Sequence, residues 1–162
     1  MRGLSNFTYT NNEDIGTTMA TTLNKTYVWP PNFVEGTDTM GESTRRIKVR
    51  VSGTTSDGTA DSGIQVIDKS DLKGPNGTEP SSLAVDSVEW NAGEMDVLVL
   101  EWDHSTNNEI YTLTGSDEVD WSCAGGLIDP KTNDGTGDIV VSSEGGASGS
   151  KFAFTICCRL KE

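Results

Sequence analysis

The stretch Met95-Asp96-Val97-Leu98-Val99-Leu100-Glu101-Trp102 constrains the fold more than any other part of the chain, because only here do apolar side chains fill both registers of an extended segment. Val97 and Val99 point one way, and Leu98, Leu100 and Trp102 the other. Four consecutive apolar residues between turn signals fit a strand covered on both faces, which predicts a central strand in the middle of a sheet.

The chain around it reads as strands and turns. Arg46 to Val51 alternates, with Ile47, Val49 and Val51 inward and Arg46, Lys48 and Arg50 outward. Ile64 to Ile67 is a short second strand. Leu83 to Trp90 turns through Asn91-Ala92-Gly93-Glu94 into the central strand, a four-residue hairpin connection that predicts two antiparallel neighbours. Glu109 to Leu113, Asp138 to Ser143 and Lys151 to Lys161 follow. In the last of these Phe152, Phe154, Ile156, Cys158 and Leu160 share one face and belong to the core. Ser52 to Gly63, Asp68 to Pro80 and Gly125 to Gly137 read as loops, and Gly145 to Gly149 as a hairpin tip. Ser116 to Trp121, with a serine cap and acids in the first turn, reads as a single helical turn.

About seven short strands with turns between them predict an all-β fold, an antiparallel β-sandwich with an extended N-terminal arm; a small barrel is the alternative. The arm is expected over residues 1–43 and the sandwich over 44–162. The arm has no sustained periodicity and ends in Tyr27-Val28-Trp29-Pro30-Pro31-Asn32-Phe33, where two prolines lack amide donors and suit a segment laid across a surface.

Composition bounds what such a chain can do. Val, Ile, Leu and Phe make up only 33 of the 162 residues, and the net charge is -13. That is close to the range where a chain cannot bury enough apolar surface alone, so an assembly partner is expected to supply burial. The acidic balance argues against nucleic-acid binding, which needs a basic face. No apolar run is long enough for a signal peptide or a membrane span, so the chain is expected to be made in a cytoplasm and not inserted in a membrane. Three Asn-x-Thr triplets are attributed to the abundance of threonine. Cys123, Cys157 and Cys158 show no Cys-x-x-Cys spacing, and neighbours on a strand face opposite sides, so free thiols are expected.

No catalytic, cofactor or metal site is expected. His104 is the only histidine, and a Ser/His/Asp triad built on it would need a nucleophile elbow and an oxyanion loop that the sequence lacks. Neither Asp57 to Asp61 nor Asp129 to Asp138 has the spacing of a calcium loop. Two features call for a partner instead. Arg46, Lys48 and Arg50 put three cations on one strand face of an acidic chain, either as a solvated face or as a patch complementary to an acidic protein. Trp29 and Phe33 supply aromatic anchors of the kind found at interfaces, with a carbohydrate platform as the rival use.

Gly135-Thr136-Gly137-Asp138-Ile139-Val140-Val141-Ser142-Ser143-Glu144-Gly145, followed by Gly149 to Ile156 and a basic C-terminus, resembles the closing hairpin of small virion proteins in tailed phages of marine bacteria. The resemblance covers about the last 30 residues and carries no catalytic motif. It implies a non-enzymatic capsid decoration (cement) or head accessory protein, bound to the major capsid protein or another virion protein as a trimer or dimer. A tail or fibre component is the nearest variant, and an extracellular carbohydrate-binding module is the alternative of a different class.

Overall fold

Period-two alternation decides which side chains the sheets bury. In chain order the computed structural model has, among the described residues 21–41, 45–56, 60–131 and 133–162, the strands β1 (Thr21–Trp29), β2 (Arg46–Thr55), β3 (Asp61–Ile67), β4 (Ser82–Asn91), β5 (Val97–His104), β6 (Asn108–Leu113), β7 (Ser116–Asp120), β8 (Leu127–Ile128), β9 (Gly135–Glu144) and β10 (Lys151–Lys161). They form two antiparallel sheets. One runs β1-β2-β10-β4-β7, with β8 also on β4, and the other runs β3-β9-β5-β6. The fold is the expected all-β sandwich, with ten strands in place of about seven.

The core lies between the sheets. β2 contributes Ile47, Val49 and Val51, and β10 contributes Phe152, Phe154, Ile156, Cys158 and Leu160; facing them are Leu98, Leu100 and Trp102 of β5 with Ile139 and Val141 of β9. Trp90, Tyr111 and Trp121 close one seam: ring centroids lie 5.6 Å apart for Trp90 and Tyr111 and 5.3 Å for Tyr111 and Trp121, and the Trp90 indole donates to the Thr114 carbonyl at 3.0 Å.

Several local expectations are corrected. β5 does sit inside its sheet, between β9 and β6, but among the described residues the second sheet covers only one of its faces. Leu98, Leu100 and Trp102 are buried, whereas Val97 and Val99 are half-buried on a face that no other described strand covers, where Val99 neighbours Thr112 and Ser142. β4 and β5 are not hairpin partners. The Ala92 amide bonds to the Gly115 carbonyl and the Met95 amide to the Ala92 carbonyl, and with both side chains buried this corner carries the chain from one sheet to the other. The segment from Gly145 to Gly149 likewise crosses between sheets, so the stretch that carries the virion resemblance is a crossover and not a hairpin.

Ser116 to Trp121 is not a helical turn. Ser116–Asp120 pairs with the open edge of β4, Val119 packs against the core, and its acids lie on an edge strand, where charge discourages further pairing. The loop expected over Gly125 to Gly137 contains β8 and the start of β9, and β2 runs on to Thr55.

The arm expected over residues 1–43 ends in a strand. Thr21–Trp29 pairs along most of the edge of β2, from Thr21 opposite Thr55 to Trp29 opposite Lys48. Leu23 and Tyr27 pack against the core, so this part of the expected arm belongs to the sandwich. Residues 1–20 lie outside the described residues.

Candidate functional site

The basic strand is β2. Its inward residues Ile47, Val49 and Val51 have no exposed surface, so pleating turns Arg46, Lys48 and Arg50 to the outer face of the larger sheet. Arg46 and Arg50 are exposed and Lys48 is half-buried. Trp29 is the cross-strand partner of Lys48, after a register shift between Tyr27 and Trp29. Opposite residues of antiparallel strands share a face, and this register joins the two sequence-predicted partner sites at Trp29 and Lys48.

The chain then leaves the sheet edge through a cis Trp29-Pro30 bond and a turn in which Asn32 has φ 58°. Val28, Trp29 and Val34 remain 47%, 48% and 54% exposed, an apolar patch at the end of β1. Phe33 does something else. Its ring centroid lies 5.0 Å from that of Tyr27, and it packs half-buried against its own core. The Tyr27 hydroxyl and the Lys25 ammonium both donate to Oε1 of Glu35, at 2.8 and 2.6 Å, which fastens the turn to β1. Burial first, and then Glu35, pushes the Tyr27 phenol far above its ordinary pKa, so it serves as a donor.

Across β10 the face changes sign. Glu89 of β4 stands opposite Glu118 of β7, and Asp120 opposite Ser87. The hydroxyl and amide of Ser122 hold the Asp120 carboxyl below the usual carboxylate range. Nearby, the nearly buried Asp86 accepts two bonds from Nε of Arg159 at 2.8 and 2.9 Å, while Nε of Arg46 lies 3.8 Å away. Sequence reasoning missed this acidic half because its residues fall on two strands, one of them read as a helical turn.

His104 anchors a loop. Its ring is fully enclosed, with Nδ1 2.8 Å from Asp134 and Nε2 2.9 Å from Asp129. Ser105 donates to Asp134 and not to the imidazole, so no Ser/His relay is assembled and the ring offers no face to a substrate. A Cβ on Gly135 would lie 2.2 Å from Cε1 of His104, so the ring packs directly against that glycine. Asp57 lies outside the described residues. No described cluster of three or more His, Cys, Asp or Glu side chains could hold a metal ion.

The cysteines are unpaired: Cys123 is exposed, Cys157 half-buried on the outer face and Cys158 buried in the core, where burial pushes its thiol pKa up. Compared with known families, curated proteins and solved structures, the chain matches none.

Proposed function

We propose that this chain is a non-enzymatic structural protein of a virion, which binds the outer capsid as a decoration (cement) or head accessory protein and does so as an oligomer. The observation that supports this reading most is the register that sets Trp29 opposite Lys48, because it puts an exposed aromatic anchor beside a strand of cations, with the exposed Val28 and Val34 close to it in the chain. Large aromatics dominate interface energy when they enter a partner's pocket, and flanking charges fix register and choice of partner. A protein lattice with an apolar pocket for Trp29, such as one built by a major capsid protein, fits the first requirement, and an acidic face within the assembled oligomer fits the second. The enclosed His104 and the unassembled triad fit a role without catalysis.

A carbohydrate-binding module would need a row of exposed aromatics on one sheet face. Trp29 and Tyr111, the aromatics exposed among the described residues, lie on different sheets. The test is to purify particles of the virus that encodes the chain and locate it in a reconstruction of the intact shell. Chain added back to particles stripped of it should bind, and Trp29→Ala should weaken that binding by about 2 kcal/mol, close to thirtyfold. Its absence from purified particles would overturn the proposal.

A further inference from the structure

The outer face of the larger sheet carries a charge order that is its own complement. Thr155 of β10 pairs with Arg50 on one side and with Glu89 on the other, and Glu89 pairs in turn with Glu118. Arg50 and Glu89 therefore stand in one row, one strand to either side of β10. The next row repeats the order: Cys157 lies between Lys48 and Ser87, and Asp120 follows Ser87.

The ion pairs formed among the described residues use other side chains, so Arg50, Lys48, Glu89 and Glu118 face outward with no intrachain counter-ion among those residues. Glu89 directly opposite Glu118 is an unfavourable cross-strand pair when left alone. Along β10 itself the outward residues Ala153, Thr155 and Cys157 are small, and an open trough of about 400 Å³ lies between Arg50 and the two glutamates.

We infer that the acidic partner of the basic strand is β4 and β7 of a second copy of this chain, docked face to face about a two-fold axis along β10. The inference rests on the oligomer part of the proposal above and not on its virion part. A half-turn about β10 carries each copy's β2 over the other's β4. Arg50 of one copy then meets Glu89 of the other, and the same contact forms a second time by symmetry, as an isologous interface requires. Lys48 moves toward Ser87 and Asp120. Thr155 and Cys157 fall on the axis, where small side chains face themselves and let the sheets approach to about 10 Å.

Three like charges, Lys151, Arg159 and Lys161, also approach their own copies on the axis, and none decides the outcome. Arg159 is already bonded to Asp86 of its own chain. Lys151 and Lys161 lie four and six residues from Thr155, roughly 13 and 20 Å along the strand, where twisted sheets packed at about 30° diverge. Net charge does not select this partner, since at -13 per chain it repels any acidic protein alike. That repulsion is screened beyond about 8 to 10 Å. Short-range register selects, and this chain carries the matching order at the matching spacing. Five strands by about seven residues give roughly 1,100 Å² in total, at the low end for a specific contact, so the dimer is weak and gains from high local concentration.

Sedimentation equilibrium over the micromolar to millimolar range tests this. The native chain should show a monomer–dimer equilibrium. Arg50→Glu sets acid against acid where the two copies meet and Glu89→Arg sets arginine against arginine there, so each alone should dimerise at least about tenfold more weakly. An equimolar mixture of the two should recover a dimer, because one copy's acids then face the other's arginines. In a Cys123→Ser background a short bifunctional thiol reagent should join two native-like chains through Cys157, and adding Cys157→Ser should abolish the product. A native chain that stays monomeric, single variants that dimerise as well as the native chain, or a mixture that does not recover would each overturn the inference. A monomer that still binds particles would overturn this inference alone, whereas a dimer absent from particles would count against the virion reading alone.

Discussion

The ring of Phe152 lies across Gly53, its cross-strand partner between β10 and β2, so closely that a Cβ built on Gly53 would sit 2.1 Å from Cζ. Gly53 is needed for space and not for an unusual φ. It leaves room for the Phe152 ring between β10 and β2, where Phe152 is stacked parallel to Phe154 at 6.4 Å. Gly53→Ala should therefore lower stability by about 2 to 3 kcal/mol through overpacking, read as a lower urea midpoint at unchanged slope. Phe152→Ala should cost about 3 to 5 kcal/mol alone. The double variant should cost less than the two added, because the clash needs the ring. Strict additivity would place the strain elsewhere.

Asp134 gives the acid limb of stability a definite sign. The Ser105 hydroxyl first, and then the His104 ring, hold its carboxyl below the usual Asp value of 3.8. A carboxylate depressed in the folded state contributes stability that is present above 3.8 and is lost as pH falls through the lower folded value. Asp134→Asn and Ser105→Ala should accordingly lose stability relative to the native chain near neutral pH, and the gap should close as pH drops below that value. Urea midpoints measured along the series check it: a gap that is constant with pH would mean the contacts are not linked to ionisation.

The three thiols should differ in access, and the least accessible should also be the least readily ionised. Cys123 is exposed, Cys157 half-buried and Cys158 enclosed with its thiol pKa raised by burial. Alkylation of the native chain should label Cys123 first and leave Cys158 untouched, and alkylation after unfolding without reductant should add three labels by mass. Fewer than three would reveal a disulfide. Early labelling of Cys158 would mean that β10 opens locally.

The sequence made legible those elements whose own side chains determine them. β2, β5 and β10 were readable because alternation, or a doubly apolar run, reflects burial directly. What failed was information held by partners. Ser116 to Asp120 carries helix-start residues, yet an unfilled edge on β4 and a core position for Val119 make it a strand. Asn91 to Glu94 and Gly145 to Gly149 have turn composition, and composition does not say whether a turn returns to the same sheet or crosses to the other. β1 was hidden because its inward residues include Thr21 and Lys25, whose burial is polar: the Lys25 ammonium finds Glu35. The candidate surface was legible in pieces. Trp29 and the β2 cations were visible, but their adjacency and the facing acids of β4 and β7 depend on register.

A dispensable arm over residues 1–43 would leave a chain beginning at Gly41 as stable as the whole. Instead β1 fills the edge of β2 from Thr55 to Lys48, and Leu23, Tyr27 and Phe33 press on the core beneath it. Removing them uncovers a ten-residue strand with a free hydrogen-bonding edge, the feature that natural sheets cover or charge to prevent edge-to-edge association. The shortened chain should unfold at lower urea and aggregate on concentration. Tyr27→Ala separates packing from truncation, since it removes the ring contact with Phe33 and the hydroxyl that bonds Glu35 while keeping the backbone ladder. It should cost about 2 kcal/mol without promoting aggregation. A chain beginning at Gly41 that stays monomeric and keeps the native midpoint would return β1 to the role of an arm laid on the sheet, free to dock elsewhere.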